Sequence, residues 1–425
     1  MTRPSVRRSL AHSRLRMLFA VVGPGIIAAT ADNDATGILG YSIAGAQFQY
    51  SMLWILVLCT VALGVCQEIC ARMGAVTGKG LADLIREEFG VKVTLVAMAA
   101  LITANFATTV AEFAGMLAAV TIFAGQNSRF IVLPIAALLI WLLVTRGTYR
   151  RVERVLLAAS TVYLLYIISA GMAHPDWGEV MRQIFAPDTH KMVPVASYIL
   201  VAVGLIGTTI TPWGQFYVQS SVRDKGITVE EYGLTRLDVY FGACFTTGIA
   251  FFIIVACGAT LYTSGVRSIT DAGLAAQALA PIAGPLAAGL FAFGLFNASC
   301  FGAIIVPLST AYAVTEALGW ESGVGRRIRE APLFIGVFTA LIVVSALIVM
   351  LFPNHLATLI ILPNLVGAML LPVILVLMLR LANTRRLMGD YVNGRIFNTI
   401  AWTVTGVLII LSVTVLVTQL LPIGA

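Results

Sequence analysis

Midway along the first apolar run of this chain lies a polar octet, Thr30-Ala31-Asp32-Asn33-Asp34-Ala35-Thr36-Gly37. The run is otherwise apolar from Met17 to Ala46, which is long enough to cross a bilayer as a helix. An aspartate at that depth costs roughly 2.5 to 3.5 kcal/mol on insertion scales, so acids inside a membrane span are rare and mark functional sites. The octet therefore predicts a functional site in the first transmembrane segment.

A second apolar run is interrupted by Gly207-Thr208-Thr209-Ile210-Thr211-Pro212-Trp213-Gly214-Gln215. Pro212 removes a backbone N–H donor and the two glycines loosen the backbone, so this stretch predicts a broken helix. Such a break is tolerated in lipid only where the freed backbone groups line a cavity or bind something. Two broken helices in corresponding positions predict one ion site that both breaks share.

The composition places the chain among integral membrane proteins. Of its 425 residues, 59% are hydrophobic and only 11% are charged, too few to cover a soluble globule of this size. The six cysteines lack the spacing of a zinc or redox site, so we expect them to be small buried hydrophobes. Eleven apolar stretches match the thickness of a bilayer, near 18–46, 51–74, 93–124, 130–146, 152–173, 193–221, 237–263, 282–318, 331–352, 356–381 and 396–422.

The distribution of charge predicts the orientation of the helices. If the N-terminus is cytoplasmic, all but four of the 27 Lys and Arg residues fall on the cytoplasmic side, as the positive-inside rule requires. We therefore expect a cytoplasmic N-terminus at 1–17, five helices in 18–173, an extracellular loop at 174–192, five helices in 193–381, and a last helix at 396–422 that ends outside. Two five-helix units with broken first helices are typical of inverted-repeat secondary transporters, not of enzymes.

The same pattern limits the partners. The basic residues face the inner leaflet, and no basic run interleaved with aromatic residues indicates nucleic-acid binding. We expect a monomer in the cell membrane, with membrane lipid around it and no bound cofactor.

Several motifs resemble the natural resistance-associated macrophage protein (NRAMP) divalent-metal transporters. The matching stretches are Gly23-Pro24-Gly25, the octet, Ala71-Arg72-Met73-Gly74, Ala111-Glu112, and Arg385-Arg386-Leu387-Met388-Gly389-Asp390-Tyr391-Val392-Asn393-Gly394-Arg395. The resemblance covers nearly the whole chain. It implies a LeuT-type fold, ten helices in two inverted repeats plus an eleventh, that works by alternating access.

The departures from the family pattern concern the metal ligands. The family has Asp-Pro-Gly-Asn in helix 1, where this chain has Asp34-Ala35-Thr36-Gly37, and Ala-x-x-Met-Pro-His in helix 6, where this chain has Thr208, Thr211, Pro212 and Trp213. The acid is kept, but the amide and the thioether are lost. Oxygen ligands favour hard Mg²⁺ and Mn²⁺, and the smaller side chains leave room for an ion that keeps several waters. The pattern is similar to the NRAMP-related magnesium transporter branch.

We predict metal ligands at Asp34, Gly37, Thr208, Thr211 and, by alignment with a family glutamine, Asn364. Alternatives remain for these residues. Asp34 could serve only as the cap of a half-helix, and the threonines could bond back to their own helix. Around the ion we expect four residues to shape or gate the site, Asp32, Trp213, Gln215 and Glu112.

The resemblance also bears on coupling. The family associates proton cotransport with the helix 6 histidine and an acid in helix 3, and here those positions hold Trp213 and Thr109, with only Glu112 kept. Neither replacement titrates usefully, so we expect transport without protons. The alternatives are a proton-coupled carrier of Mn²⁺ and transition metals, a sodium-coupled carrier of organic solutes, and an intramembrane hydrolase that uses the two aspartates of the octet.

Overall fold

The computed structural model describes residues 23–188, 194–267, 269, 272–353 and 356–420. Side chains are described there except at 272–283, at most positions of 356–368, and beyond 414. The predicted cytoplasmic N-terminus at 1–17 lies outside the described residues. So do 189–193, at the end of the predicted extracellular loop, and 421–425, at the C-terminus.

The described residues form helices and connecting turns, with no strand among them. The first repeat holds α1 (Pro24–Ala31), α2 (Ala35–Phe48), α3 (Leu53–Thr77), α4 (Leu81–Ala124), α5 (Arg129–Arg146), α6 (Tyr149–Ser160) and α7 (Leu164–Met172). The remainder holds α8 (Trp177–Phe185), α9 (Val195–Thr209), α10 (Pro212–Lys225), α11 (Tyr232–Cys257), α12 (Ala272–Leu318), α13 (Pro332–Leu351), α14 (Leu356–Ala382), α15 (Arg385–Met388) and α16 (Arg395–Leu420).

Nine spans within the described ranges are long and apolar enough to cross a membrane. The other two predicted spans are the first, which is split into α1 and α2, and the tenth, which is α14. The helix α8 was not predicted, since it lies in the segment that we expected to be an extracellular loop. The side chain of Asp176 caps α8 by accepting hydrogen bonds from the N–H groups of Gly178 and Glu179.

Two long helices are bent at a glycine in the same way. Gly90 in α4 has φ 79° and ψ 172°, and Gly284 in α12 has φ 87° and ψ 162°. A positive φ is accessible to glycine at little cost because it has no β-carbon. These helices contain the third span of each predicted five-helix unit, and they pack along each other.

Many outward-facing side chains are apolar, as in a protein that contacts lipid. The short α1 packs against α11, and the last helix, α16, packs mainly against α14 at the periphery. The expectation that every cysteine is buried was wrong for Cys244, which is exposed on the outer face of α11. A small apolar thiol meets no penalty where the surrounding solvent is lipid.

Candidate ion site between the two broken helices

The first break lies where α1 ends at Ala31 and α2 begins at Ala35. Asp34 is the N-cap of α2, and its Oδ1 accepts hydrogen bonds of 2.7 Å from the backbone N–H of Gly37 and 2.7 Å from the hydroxyl of Thr36. A short acidic side chain suits this position because it satisfies the N–H groups that a helix leaves open at its start. Asp34 therefore does cap α2, as the alternative interpretation expected. The capping contacts hold its carboxylate at the break.

The second break lies where α9 ends at Thr209 and α10 begins at Pro212. Thr211 is the N-cap of α10 and accepts from the N–H of Gly214 at 3.3 Å. Its hydroxyl donates to Oδ1 of Asp32 at 2.7 Å, so a side chain of the first break is tied to the cap of the second. The other oxygen of Asp32, Oδ2, is buried without a hydrogen-bond partner among the described residues.

Oxygen atoms from both breaks meet at Gly37. The hydroxyls of Thr36 and Thr208 are 3.3 Å apart, and a β-carbon at position 37 would lie 2.7 Å from the Asp32 carbonyl oxygen and 3.3 Å from the Thr208 hydroxyl. With Oδ1 of Asp34, one carboxylate, one carbonyl and two hydroxyls therefore surround this glycine. The expected free space beside Gly37 is absent in this conformation, because the carbonyl and the hydroxyl occupy it.

Two residues of this region were missed by the sequence reasoning. Thr36 contacts Asp34 and Thr208, and its position two residues after the capping acid was the available signal. Asp238, a lone acid in the apolar helix α11, accepts from the N–H of Gly25 at 2.7 Å and so caps α1. An acid in a membrane span is itself a signal, but its partner lies far away in sequence.

Glu112 lies beside the first break. Its Oε2 accepts from the N–H of Ala35 at 3.2 Å, and its carboxyl group is within hydrogen-bonding reach of the Asp34 carboxyl group. Its Oε1 is buried without a partner among the residues described. Two carboxyl groups in direct contact can form a hydrogen bond only when one of them carries a proton.

Trp213 and Gln215 belong to the first turn of α10. The Trp213 side chain is buried, its indole nitrogen has no partner in the described part of the chain, and its carbonyl accepts from the Ser309 hydroxyl at 2.7 Å. Gln215 donates to the Thr211 carbonyl at 3.4 Å and accepts from the Cys70 thiol at 3.6 Å. Both residues therefore hold the start of α10 in place.

The two remaining residues that the sequence analysis named are Thr109 on α4 and Asn364 on α14. The hydroxyl of Thr109 donates to the Asn105 carbonyl of its own helix at 2.7 Å. Asn364 belongs to α14, and its side chain is not described. One turn further along α14, a β-carbon at Gly367 would lie 3.9 Å from the Pro212 ring, so α14 passes close to the second break.

The site is closed to solvent. Asp32 and Thr208 are 0% and 1% exposed, and Asp34 is 1% exposed. On the side that the charge distribution predicts to be cytoplasmic, Arg223 forms an ion pair with Glu316 at 2.9 Å. Both residues line a polar cavity of about 590 Å³. Within the described ranges, no three His, Cys, Asp or Glu side chains form a cluster that could hold a metal ion by themselves.

The family model for natural resistance-associated macrophage protein-like proteins (Nramp) matches residues 25–418. The chain belongs to the Nramp family.

Among the relatives of this Nramp chain, the divalent metal cation transporter MntH of Ralstonia nicotianae is 25% identical over 92% of the chain and 89% of that relative. The transporter of the same name from Klebsiella pneumoniae is 24% identical over 99% of both chains. The full length of the chain is therefore shared with the family, although more than two thirds of the aligned residues differ.

Solved structures agree on the architecture. The crystal structure of the Eremococcus coleocola manganese transporter in complex with an aromatic bis-isothiourea compound superposes with a TM-score of 0.76 at 20% identity, over 96% of this chain and 88% of that one. Mhp1, a nucleobase-cation-symport-1 family transporter, superposes with a TM-score of 0.58 at 15% identity, over 95% and 94% of the two chains. The fold is thus the LeuT type, as predicted.

Proposed function

We propose that this chain imports hard divalent cations, Mg²⁺ and also Mn²⁺, across the cell membrane by alternating access. Membership of the Nramp family supports divalent-metal transport. The observation that carries the choice of ion is the all-oxygen surround of Gly37, formed by Asp34, Thr36, Thr208 and the Asp32 carbonyl. Carboxylate, carbonyl and hydroxyl oxygens suit Mg²⁺ and Mn²⁺, whereas a thioether favours softer metals.

In this proposal Asp34 is the anionic ligand, and Thr208 adds an oxygen from the opposite break. Mg²⁺ gives up its waters reluctantly, so the ion keeps some of them and binds when the breaks move apart at Gly37. Thr211 and Asn364 approach the ion in other states of the cycle. The closed arrangement of the structure is then the state in which neither side of the membrane reaches the site.

The driving force in this proposal is the electrochemical gradient of the transported ion, without proton coupling. With the N-terminus cytoplasmic, an inside-negative potential supplies about 2.3 kcal/mol per elementary charge per 100 mV, and twice that for a divalent ion. Two side chains support transport without protons. The buried indole of Trp213 and the hydroxyl of Thr109, which is bound to its own helix, cannot accept a proton near neutral pH.

A specific observation favours the proton-coupled alternative. Glu112 has an unpartnered buried oxygen and lies within hydrogen-bonding reach of Asp34, so a proton held between the two carboxyl groups would be released when a cation binds Asp34. The hydrolase alternative is less well supported, because the carboxylates of Asp32 and Asp34 are held by different partners instead of facing each other.

The test of the metal site is cation flux into liposomes that contain the purified protein. We expect Mg²⁺ to compete with Mn²⁺ at similar concentrations, and Asp34→Ala to abolish the uptake of both. The matched control is Asp390→Ala, which removes an exposed acid outside the spans and leaves uptake unchanged. Intact Mn²⁺ flux that Mg²⁺ cannot inhibit would contradict the hard-ion site.

The test of coupling uses the same liposomes with a pH dye inside and the voltage clamped. We expect Mn²⁺ entry without acidification of the lumen. Protein-dependent acidification that follows metal entry and disappears in Glu112→Gln would establish the proton-coupled alternative. Sodium-dependent uptake of an organic solute would support the sodium-coupled alternative in place of metal transport. Turnover of a peptide or lipid would support the hydrolase alternative.

A further inference from the structure

The last helix leaves an apolar groove against its neighbour. A cavity of about 450 Å³ lies between α14 and α16, and its walls are almost wholly apolar. Met369 and Val373 contribute from α14, and Ile409 and Val413 from α16. Pro372 also lines it, and a proline inside a helix disturbs the regular packing of that helix against its neighbour.

The same two helices, together with Glu88 and Phe89 of α4, border a second, polar cavity of about 520 Å³. It is lined by Arg380 and Thr384 at the end of α14, and by Asn398 and Trp402 near the start of α16. On α14 the residues that line the apolar cavity end at Leu377, and those that line the polar cavity begin at Leu379. The two cavities therefore follow each other along one pair of helices, with the polar end at the side predicted to be cytoplasmic.

The length of the combined groove matches one leaflet. The lining residues of α16 run from Asn398 to Val413, which at 1.5 Å per residue is about 22 Å. Half of the hydrocarbon core is about 15 Å thick, which leaves a few ångströms for a headgroup. Tryptophan is enriched at the level of the headgroups, and Trp402 lies at the polar end.

The polar end carries a charge that no group of the described residues neutralises. Arg380 is exposed, and its guanidinium has no hydrogen bond or ion pair with the residues that the structure describes. Glu88 also lines this cavity, but its carboxylate is paired with Arg386. Asn383 donates a hydrogen bond to Asn398 at 2.8 Å. This bond links the end of α14 to the start of α16 in the same cavity as Arg380.

We propose that this groove binds an anionic phospholipid of the cytoplasmic leaflet, with its phosphate on Arg380 and an acyl chain between α14 and α16. Basic pockets between transmembrane helices on the cytoplasmic side recognise anionic headgroups in this way. The apolar half selects a lipid over free phosphate, and the unpaired arginine selects an anionic lipid over a zwitterionic one. The proposal does not depend on which metal is transported.

The test is quenching of Trp402 fluorescence in nanodiscs that contain the full-length protein. A minor fraction of phosphatidylglycerol or phosphatidylcholine, brominated near the carbonyl end of its chains, is added to unlabelled phosphatidylcholine. Subtracting the quenching of Trp402→Phe isolates the signal of this residue from the five other tryptophans. We expect brominated phosphatidylglycerol to quench more strongly, and Arg380→Gln to weaken its relative affinity about fivefold.

Two variants are the controls. Arg146→Gln removes an exposed arginine at the end of α5 and should leave the excess quenching unchanged, whereas Arg380→Lys should retain much of it because the charge is kept. Equal quenching by the two lipids would mean that only bulk lipid touches Trp402. Excess quenching that survives in Arg380→Gln, or that soluble glycerol phosphate removes, would also overturn the proposal.

Discussion

Replacing Gly37 by alanine tests whether transport requires the tight backbone arrangement of the first break. The added β-carbon would lie 2.7 Å from the Asp32 carbonyl oxygen and 3.3 Å from the Thr208 hydroxyl. The hydroxyl can rotate away, but the carbonyl belongs to the backbone and cannot move without disturbing the break. Overpacking of this kind typically costs about 1–3 kcal/mol.

That cost falls on the arrangement of the first break that the structure shows, because the clashing Asp32 carbonyl and Gly37 both belong to this break. A destabilisation of about 1–3 kcal/mol lowers the population of one state roughly 5- to 150-fold relative to the others. If the proposed transport cycle passes through this arrangement of the break, the transport rate should therefore fall by a factor in that range. The protein should still fold, since the clash is confined to the first break.

The assay is the initial rate of Mn²⁺ uptake into liposomes, with the amount of folded protein measured by size-exclusion chromatography. The matched control is Gly204→Ala, one turn before Thr208 in α9, where a β-carbon would meet nothing within 4 Å. We expect this control to transport normally. A Gly37→Ala protein that transports within about twofold of the unmodified chain would refute the reasoning, because the smallest expected effect is about fivefold.

Three other substitutions test single contacts. Thr36→Val removes the hydroxyl that donates to Asp34 at the proposed ion site and should weaken Mn²⁺ binding at least about tenfold in calorimetry, since a hydrogen bond to a charged group contributes about 1.5–3 kcal/mol. Asp238→Ala removes the cap on Gly25 and should destabilise the protein by about 0.5–2 kcal/mol, seen as a lower thermal unfolding midpoint in detergent. Glu316→Gln breaks the ion pair at the predicted cytoplasmic end and should accelerate maleimide labelling of buried Cys70, measured by mass spectrometry. Normal binding, an unchanged midpoint or unchanged labelling, respectively, would contradict the role given to each contact.

Much of the fold was predictable because it depends on local composition. Apolar stretches of bilayer length gave the helices, and Pro212 with the two glycines around it located the second break. The predicted spans 93–124 and 282–318 begin close to Gly90 and Gly284, but the hydropathy pattern did not show that a further helical segment precedes each glycine and joins the span through non-helical backbone. The helix α8 was missed although its nine residues are strongly amphipathic and follow a capping aspartate, because the segment was treated only as a polar connection between membrane spans.

The sequence by itself determined that this is a helical membrane protein with two breaks, that Asp34 lies at the first of them, and that no thioether stands at the second. These properties follow from residue type and spacing along one segment. Only the tertiary structure decided that Thr36 meets Thr208, that Asp32 binds the cap of α10, that Asp238 holds the start of α1, and that α14 and α16 leave a groove. Each of these contacts joins segments that are distant in sequence, and which atoms meet across them depends on how the helices pack, which no local pattern encodes.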